Sequence, residues 1–409
     1  MYKSSLLFLL SLFICLEGCI KPESTPESDR VKTGAEVVLE QHLDELEGKR
    51  VGLVMNPTSR VNGTHMLDTL LSLKVNITAL FAAEHGFRGD AGAGEVIENG
   101  VDQETGLPVH SLYGSTKKPT AAMLENVDVI LFDLPDVGSR FYTYSSTMGY
   151  VLEAVTEHDK EMWILDRPNP LGGDYVSGWV LRDEFVSFVG KYPIPINYGM
   201  TMGELAQMAV GEEWLELDKE SQLKIIKAEG WERWMKWPDT ELEWIAPSPN
   251  LPTFTHAFIY PATVIFEGTN ISEGRGTDDP FLTIGAPTFE FNETELSEIE
   301  QKHKVVVDSI SFTPRSIPGK AISPKHEGER CQGLRIRFPN GYGNINTVEL
   351  GLDLLQFVES HTRDFEINAF ANKLYGIDIQ TIIEQGEEFP SWKDEVAAFK
   401  EKRSAYLLY

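Results

Sequence analysis

Residues 77–89 read ITALFAAEHGFRG, an apolar, partly β-branched run that breaks off into Glu84, His85, Gly86, Phe87, Arg88 and Gly89. An apolar strand here delivers a carboxylate to its own end. In an α/β sheet the strands are covered by helices along their length, so ligands meet the first polar residues past the carboxyl ends. Glu84 is therefore the first candidate for chemistry. The competing reading makes Glu84 a cap or loop carboxylate and His85 a structural histidine.

Working outward, 50–56 (RVGLVMN) is a second strand, ending at Asn56, Pro57 and Thr58. Residues 127–133 (VDVILFD) form a third, and 162–165 (MWIL) a fourth that runs into Asp166. Helical spacing covers 34–46, 66–73 and 148–158. Strands alternating with helices are βαβ units, which predicts an α/β fold. Residues 34–245 should form a Rossmann-like parallel sheet with helices on both faces, and 246–409 a smaller α+β C-terminal domain. Thr201 to Glu204 (TMGE) is a capping box opening a helix through Val210, and 221–228 holds a short strand. The prolines of 192–198 enforce an extended crossing, and Trp231, Trp234, Trp237 and Trp244 suit the packing of a connector better than a sugar platform. Residues 246–287 are turn-rich with little periodicity, as in a long ordered loop contributed to the site. Beyond it come strands at 305–312 and 334–338, then helices at 348–360, 368–374 and 391–407, the last serine-capped and amphipathic.

No dinucleotide is expected. The glycine-rich 89–94 would need glycine where Ile97 stands to complete a phosphate fingerprint, and is read as a loop over the site. Neither G-x-S-x-G nor H-E-x-x-H occurs, so no metal or other cofactor is implied. Acidic residues outnumber Lys and Arg 63 to 36, a net charge of -27 that argues against nucleic acid as a partner. Any anionic substrate needs a local arginine cluster working against this field.

The N-terminus, MYKSSLLFLLSLFICLEGC, has a lysine followed by an apolar run too short to stay in a bilayer as a permanent span, so 1–18 reads as a secretory signal. Leu16, Glu17, Gly18 and Cys19 resemble a bacterial lipobox, Glu17 being a departure from it. Cys19 is then the expected lipidation site, 19–33 a polar tether, and the protein an exported, membrane-anchored lipoprotein facing the periplasm. Cys331 remains alone, so the exported chain has no internal disulfide to rely on.

Four clusters carry potential chemistry. They are Glu84, His85 and Arg88; Asp133, Asp136, Arg140, Tyr142 and Tyr144; Asp166, Arg167 and Asn169; and Glu267, Asn270, Glu273, Arg275, Asp278 and Asp279. Parallel strands ending side by side bring the first three to one rim, and a later segment can cover them. Carboxylates for acid or nucleophile, amides for hydroxyls, aromatics for a pyranose face and arginine for an anionic substituent suit a sugar. Taken singly, each acid can also be explained by a neighbouring arginine, such as Asp136 with Arg140 or Asp166 with Arg167.

At EHGFRG, LPDVGSRFYTY, LDRPNPLGG, INYGMTMGEL, PSPNLPT and FEGTNISEGRGTDDPF the chain resembles the exo-β-N-acetylmuramidase NamZ family, glycoside hydrolase family 171, from about Glu40 to the C-terminus. The resemblance implies removal of terminal non-reducing β-linked N-acetylmuramic acid from peptidoglycan fragments. It also implies a Rossmann-like domain, a smaller C-terminal one and a cleft between them. It makes Glu84 the expected catalytic acid, with Glu273, Asp133, Asp136 and Glu267 open as the second carboxylate. Arg140 or Arg275 is expected to bind the lactyl carboxylate, and Asn250, within PSPNLPT, joins the substrate-binding set. The rival classes are a non-catalytic muropeptide- or sugar-binding lipoprotein and, less well supported for want of the glycine fingerprint, a nucleotide-dependent enzyme.

Overall fold

Strands β1 (Val51–Met55), β2 (Ile77–Ala82), β3 (Gly100–Val101), β4 (Pro108–Ser111), β5 (Val129–Asp133), β6 (Glu161–Leu165) and β7 (Gln222–Ile226) form one sheet in the order β3-β4-β2-β1-β5-β6-β7. The computed structural model describes residues 30–88 and 99–409. Every neighbouring pair is parallel except β3 with β4 at the edge. Side chains alternate across the pleat. Val54, Phe81, Ile130, Phe132 and Ile164 enter one apolar layer, while Leu53, Met55, Leu80, Leu131 and Leu165 enter the other. Burying each such side chain contributes about 1.5–3 kcal/mol, and a one-residue slip would exchange the layers, so the register is strongly specified.

Helices Tyr144–Glu157 and Met202–Gly211 cover the first layer with Val151, Leu152, Leu205 and Met208. Helices Gly34–Gln41 and Met66–Ser72 cover the second with Val38, Leu67 and Leu70. The capping box expected at TMGE is formed: Thr201 accepts from the Glu204 N–H, and the Glu204 carboxylate from the Thr201 N–H. From β1 the chain winds toward β4, and from β5 toward β7, so the winding direction reverses between β1 and β5. This is an α/β architecture with helices on both faces.

The C-terminal elements add a three-stranded antiparallel sheet, β8 (Thr283–Ala286), β9 (Val306–Phe312) and β10 (Cys331–Arg337), in the order β8-β10-β9. Helix Thr347–His361 packs against helix Phe254–Thr263. Ile259, Phe266, Ile284, Leu334 and Leu350 are continuous with the apolar layer over β5 and β6.

Two expectations are corrected here. Residues 246–287 are not one long loop: they contain helix Phe254–Thr263, a 3-10 turn Val264–Gly268 and β8. The helix buries nine of its ten residues, so it is apolar all round and carries no 3.6-residue signature. The last helix, Lys393–Arg403, is neither serine-capped nor amphipathic. Trp392 occupies the N-cap, and only Phe399 and Arg403 are buried. Its segment is docked by polar contacts beyond the helix face, with Arg403 Nη1 donating to the carbonyls of Gly173 (2.9 Å) and Tyr198 (3.0 Å). Tyr409 donates its hydroxyl to Asp166 Oδ2 (2.8 Å).

The connector tryptophans pack as expected: Trp231 and Trp237 are buried, and Trp237 meets Trp244 edge-on, while Trp234 is exposed. Val31 is buried, Lys32 donates its N–H to the Glu229 carbonyl, and Thr33 caps the first helix, so the fold begins at Val31, within the span assigned to the tether. The signal segment 1–18, Cys19 and the glycine-rich 89–94 lie outside the described residues. Among the described residues no helix is long and apolar enough to cross a membrane.

Candidate active site

Past Ala82 the chain makes a tight turn, closed by the Gly86 N–H donating to the Ala83 carbonyl at 3.1 Å. His85 and Gly86 both have positive φ, +75° and +82°. Holding a non-glycine residue there costs about 1–2 kcal/mol, and the turn aims Glu84 out of the sheet end. Thr143, the N-cap of helix Tyr144–Glu157, donates its hydroxyl to Glu84 Oε2 at 2.7 Å. Tyr144, the first residue of that helix, directs its hydroxyl at the Glu84 carbonyl, 2.9 Å away. The crossover helix after β5 thus offers its positive end and two side chains to the residue two positions past β2.

Glu84 faces a cavity of about 420 Å³. Its wall includes His85, Tyr113, Phe141, Tyr142, Thr143 and Phe188 on the sheet side. Tyr260, Glu267, Glu273, Arg275, Lys320 and Lys325 come from the C-terminal elements. The second carboxylate group is built on EGRG. Gly274 and Gly276 have φ near +80°, and a Cβ on Gly274 would lie 2.6 Å from the Thr283 carbonyl oxygen, so only glycine lets Arg275 turn back. Arg275 Nη2 pairs with Glu267 (2.6 Å) and its Nε with Glu273 (3.4 Å). Lys325 Nζ donates to Glu273 Oε2 and to the Ile271 carbonyl, both at 3.0 Å, and to the Phe266 carbonyl.

The two carboxylates are driven apart. Burial raises the Glu267 carboxyl, and Glu273 nearby adds to this, Arg275 only partly offsetting them. For Glu273, burial acts upward too, but the Lys325 and Arg275 cations outweigh it and hold the group below its ordinary range. Tyr113 and Tyr260, both held protonated mainly by burial, feel Glu84 on one side and the Glu267–Arg275 pair on the other.

Of the residues singled out from sequence, Glu84, His85, Tyr142, Glu267, Glu273 and Arg275 are thereby brought to one cavity. The others are placed elsewhere. Arg140 points into the protein interior, where its guanidinium donates to the carbonyls of Trp179 (2.8 Å), Ile194 (2.7 Å) and Leu374 (3.0 Å), and burial pushes it down to about 9. Nη1 and Nη2 are spent on backbone carbonyls and the residue is not part of the cavity wall, so the expected lactyl contact does not fall to Arg140. Asp133 is fully buried in a two-pronged pair with Arg167, at 2.5 and 2.9 Å. Arg167 also donates to the Thr58 carbonyl at 3.4 Å, so the pair ties together the ends of β1, β5 and β6, near where open α/β sheets usually take their ligand. Asp136 accepts from Tyr198 and from the Gly138 N–H. Asp166 accepts from Thr201, Gly203 and Tyr409. Asn169 donates to the Met200 carbonyl, and Asn250 to that of Lys320. Asn270 ties its loop to Asp364 and Glu366. Arg88 is held by Asp102 at 2.7 and 3.1 Å, Asp279 by Arg335, and Tyr144 lies behind the wall. Asp136 with Arg140 and Asp166 with Arg167 are not ion pairs; each member has another partner.

Sequence reasoning did not single out Tyr113, Thr143, Tyr260, Lys320 or Lys325. Thr143 stands between Tyr142 and Tyr144, both marked by their motif, whereas Lys325 lies in a stretch with no motif.

Burial also pushes the Asp136 carboxyl up to about 7 and that of Asp166 to about 6. Both folded values exceed the unfolded one, so the native state binds the extra proton and stability falls as pH rises through these windows. Of these two carboxyls, only Asp136 contributes between about pH 6 and 7. Asp136→Asn is expected to remove its downward contribution to the pH dependence of stability over that interval, a change in slope of up to roughly 1 kcal/mol per pH unit read from melting temperatures. An unchanged slope would assign the proton to another group.

The family models for "Exo-beta-N-acetylmuramidase NamZ, N-terminal" and "Exo-beta-N-acetylmuramidase NamZ, C-terminal" match residues 51–255 and 258–409. The chain is 41% identical over 400 residues to the peptidoglycan beta-N-acetylmuramidase NamZ of Bacillus subtilis (strain 168), covering 94% of this chain and 93% of that one. Crystal structures of two DUF1343 family proteins from Bacteroides fragilis NCTC 9343 are similar. One has a TM-score of 0.80 at 34% identity and the other 0.76 at 35%, each covering 93% of this chain and 99% of its own.

Proposed function

The chain belongs to the exo-beta-N-acetylmuramidase NamZ family, and from that premise we propose how its cavity releases N-acetylmuramic acid. It is a glycoside hydrolase that removes terminal non-reducing β-linked N-acetylmuramic acid from peptidoglycan fragments. The observation that carries the mechanism is that Glu84, fixed by Thr143 at the sheet end, shares one cavity with Glu267, Glu273 and Arg275 from nearly two hundred residues further along the chain. Glu84 protonates the glycosidic oxygen as the bond to the anomeric carbon breaks. Glu273, kept ionised by Lys325 and Arg275, supports the cationic centre that develops, whether by activating water, by attacking directly or by steadying the substrate's acetamido group. Glu267 shares Arg275 and sets its orientation. Wild-type protein incubated with fragments carrying non-reducing terminal N-acetylmuramic acid is expected to release the free sugar; binding without release would favour the non-catalytic reading.

The sequence of the signal and lipobox supports export and attachment through Cys19, an address that fits a peptidoglycan substrate. Metabolic labelling with a tagged fatty acid is expected to mark the wild type and not Cys19→Ser. Equal labelling of both would remove the anchor.

A further inference from the structure

The substrate differs from an N-acetylglucosaminide by a lactyl ether that carries a carboxylate. An anion entering this cavity meets the carboxylates Glu84, Glu267 and Glu273, and a protein of net charge -27. Some cation must receive it. Besides His85, the wall offers Arg275, Lys325 and Lys320. Arg275 is divided between Glu267 and Glu273, and drawing it away would strand two largely buried carboxylates. Lys325 spends its three N–H donors on Glu273 and two carbonyls. Lys320 differs from both. It is exposed, and among the described residues no carboxylate lies within ion-pairing reach of its ammonium.

The backbone of Lys320 is nonetheless fixed. Ile317 and Ala321 exchange hydrogen bonds at 2.7 and 2.9 Å around Gly319, whose φ is +72°, and the Lys320 N–H donates to the Ile317 carbonyl. Buried Asn250 donates to the Lys320 carbonyl at 2.9 Å. A pinned turn thus places at the cavity wall a lysine that has no ion pair among the described residues. We propose that Lys320 binds the lactyl carboxylate and so selects muramic over glucosamine residues. This rests on the glycosidase reading above and assigns a role to a residue that sequence did not mark. It also gives Asn250 a purpose, as the residue that positions the turn.

The test compares a chromogenic β-N-acetylmuraminide with its lactyl methyl ester, which differs only in charge. Wild type is expected to show a KM for the acid roughly ten- to hundred-fold below that for the ester, the range for a hydrogen bond between charged groups. Raising ionic strength should erode the difference, since the site is exposed. Lys320→Met is expected to bring the two KM values together with kcat little changed, and Lys320→Arg to restore much of the gap. The proposal is overturned if Lys320→Met keeps the wild-type preference, if it weakens both substrates equally, or if wild type does not distinguish them. Should wild type hydrolyse neither, the glycosidase reading itself fails and this inference falls with it.

Discussion

Glu84→Gln is expected to lower turnover of a disaccharide substrate by about 10²- to 10⁴-fold, the usual contribution of a positioned general acid. Glutamine keeps the shape and can still accept from the Thr143 hydroxyl, so the melting temperature should hold while the proton donor is lost. The dependence on leaving group makes the role specific. A sugar alkoxide leaves poorly unless protonated, whereas a nitrophenolate leaves nearly unaided. If Glu84 is the acid, the variant loses far more on the disaccharide than on the aryl glycoside in the bond-breaking step. Comparable losses on both would point to a nucleophile or an electrostatic role instead, and full activity on both would take Glu84 out of the chemistry.

Arg167→Ala is expected to act on stability. It leaves the Asp133 carboxylate, fully buried and paired at 2.5 and 2.9 Å, without its cation. Breaking such a pair costs about 3–5 kcal/mol, because the remaining charge sits where water cannot solvate it. Denaturant titration measures the loss. The double variant Asp133→Leu with Arg167→Met should recover much of it, since an apolar pair of similar volume has no unpaired charge. If the single variant were as stable as wild type but had lost substrate affinity, Arg167 would belong to the binding site after all.

Both experiments separate residues that looked alike in the sequence. Asp133 ends a buried strand and Glu84 lies two residues past one, and both read as ligand-facing acids. Their fates diverge through partners that lie far along the chain in both cases: Thr143 and the positive helix end, 59 residues on, for Glu84, and Arg167, 34 residues on past the next strand, for Asp133. Arg140 reads as a ligand-binding arginine, and is not one, for a related reason. Its three carbonyl acceptors lie at residues 179, 194 and 374, and no pattern near position 140 announces them.

The alternation and helical periods of the first two hundred residues determined the parallel sheet, because a strand covered on both faces must be apolar throughout and a capped helix must show its period. The same runs marked where the strands end, and rare motifs marked the family. Tertiary structure alone decided which polar groups at those ends face the cavity and which are spent on one another. A side chain's solvation and charge state depend on whatever the fold packs against it, often from far along the chain. The helix at 254–263, buried on every side, and the lysines at 320 and 325 acquire their meaning only there.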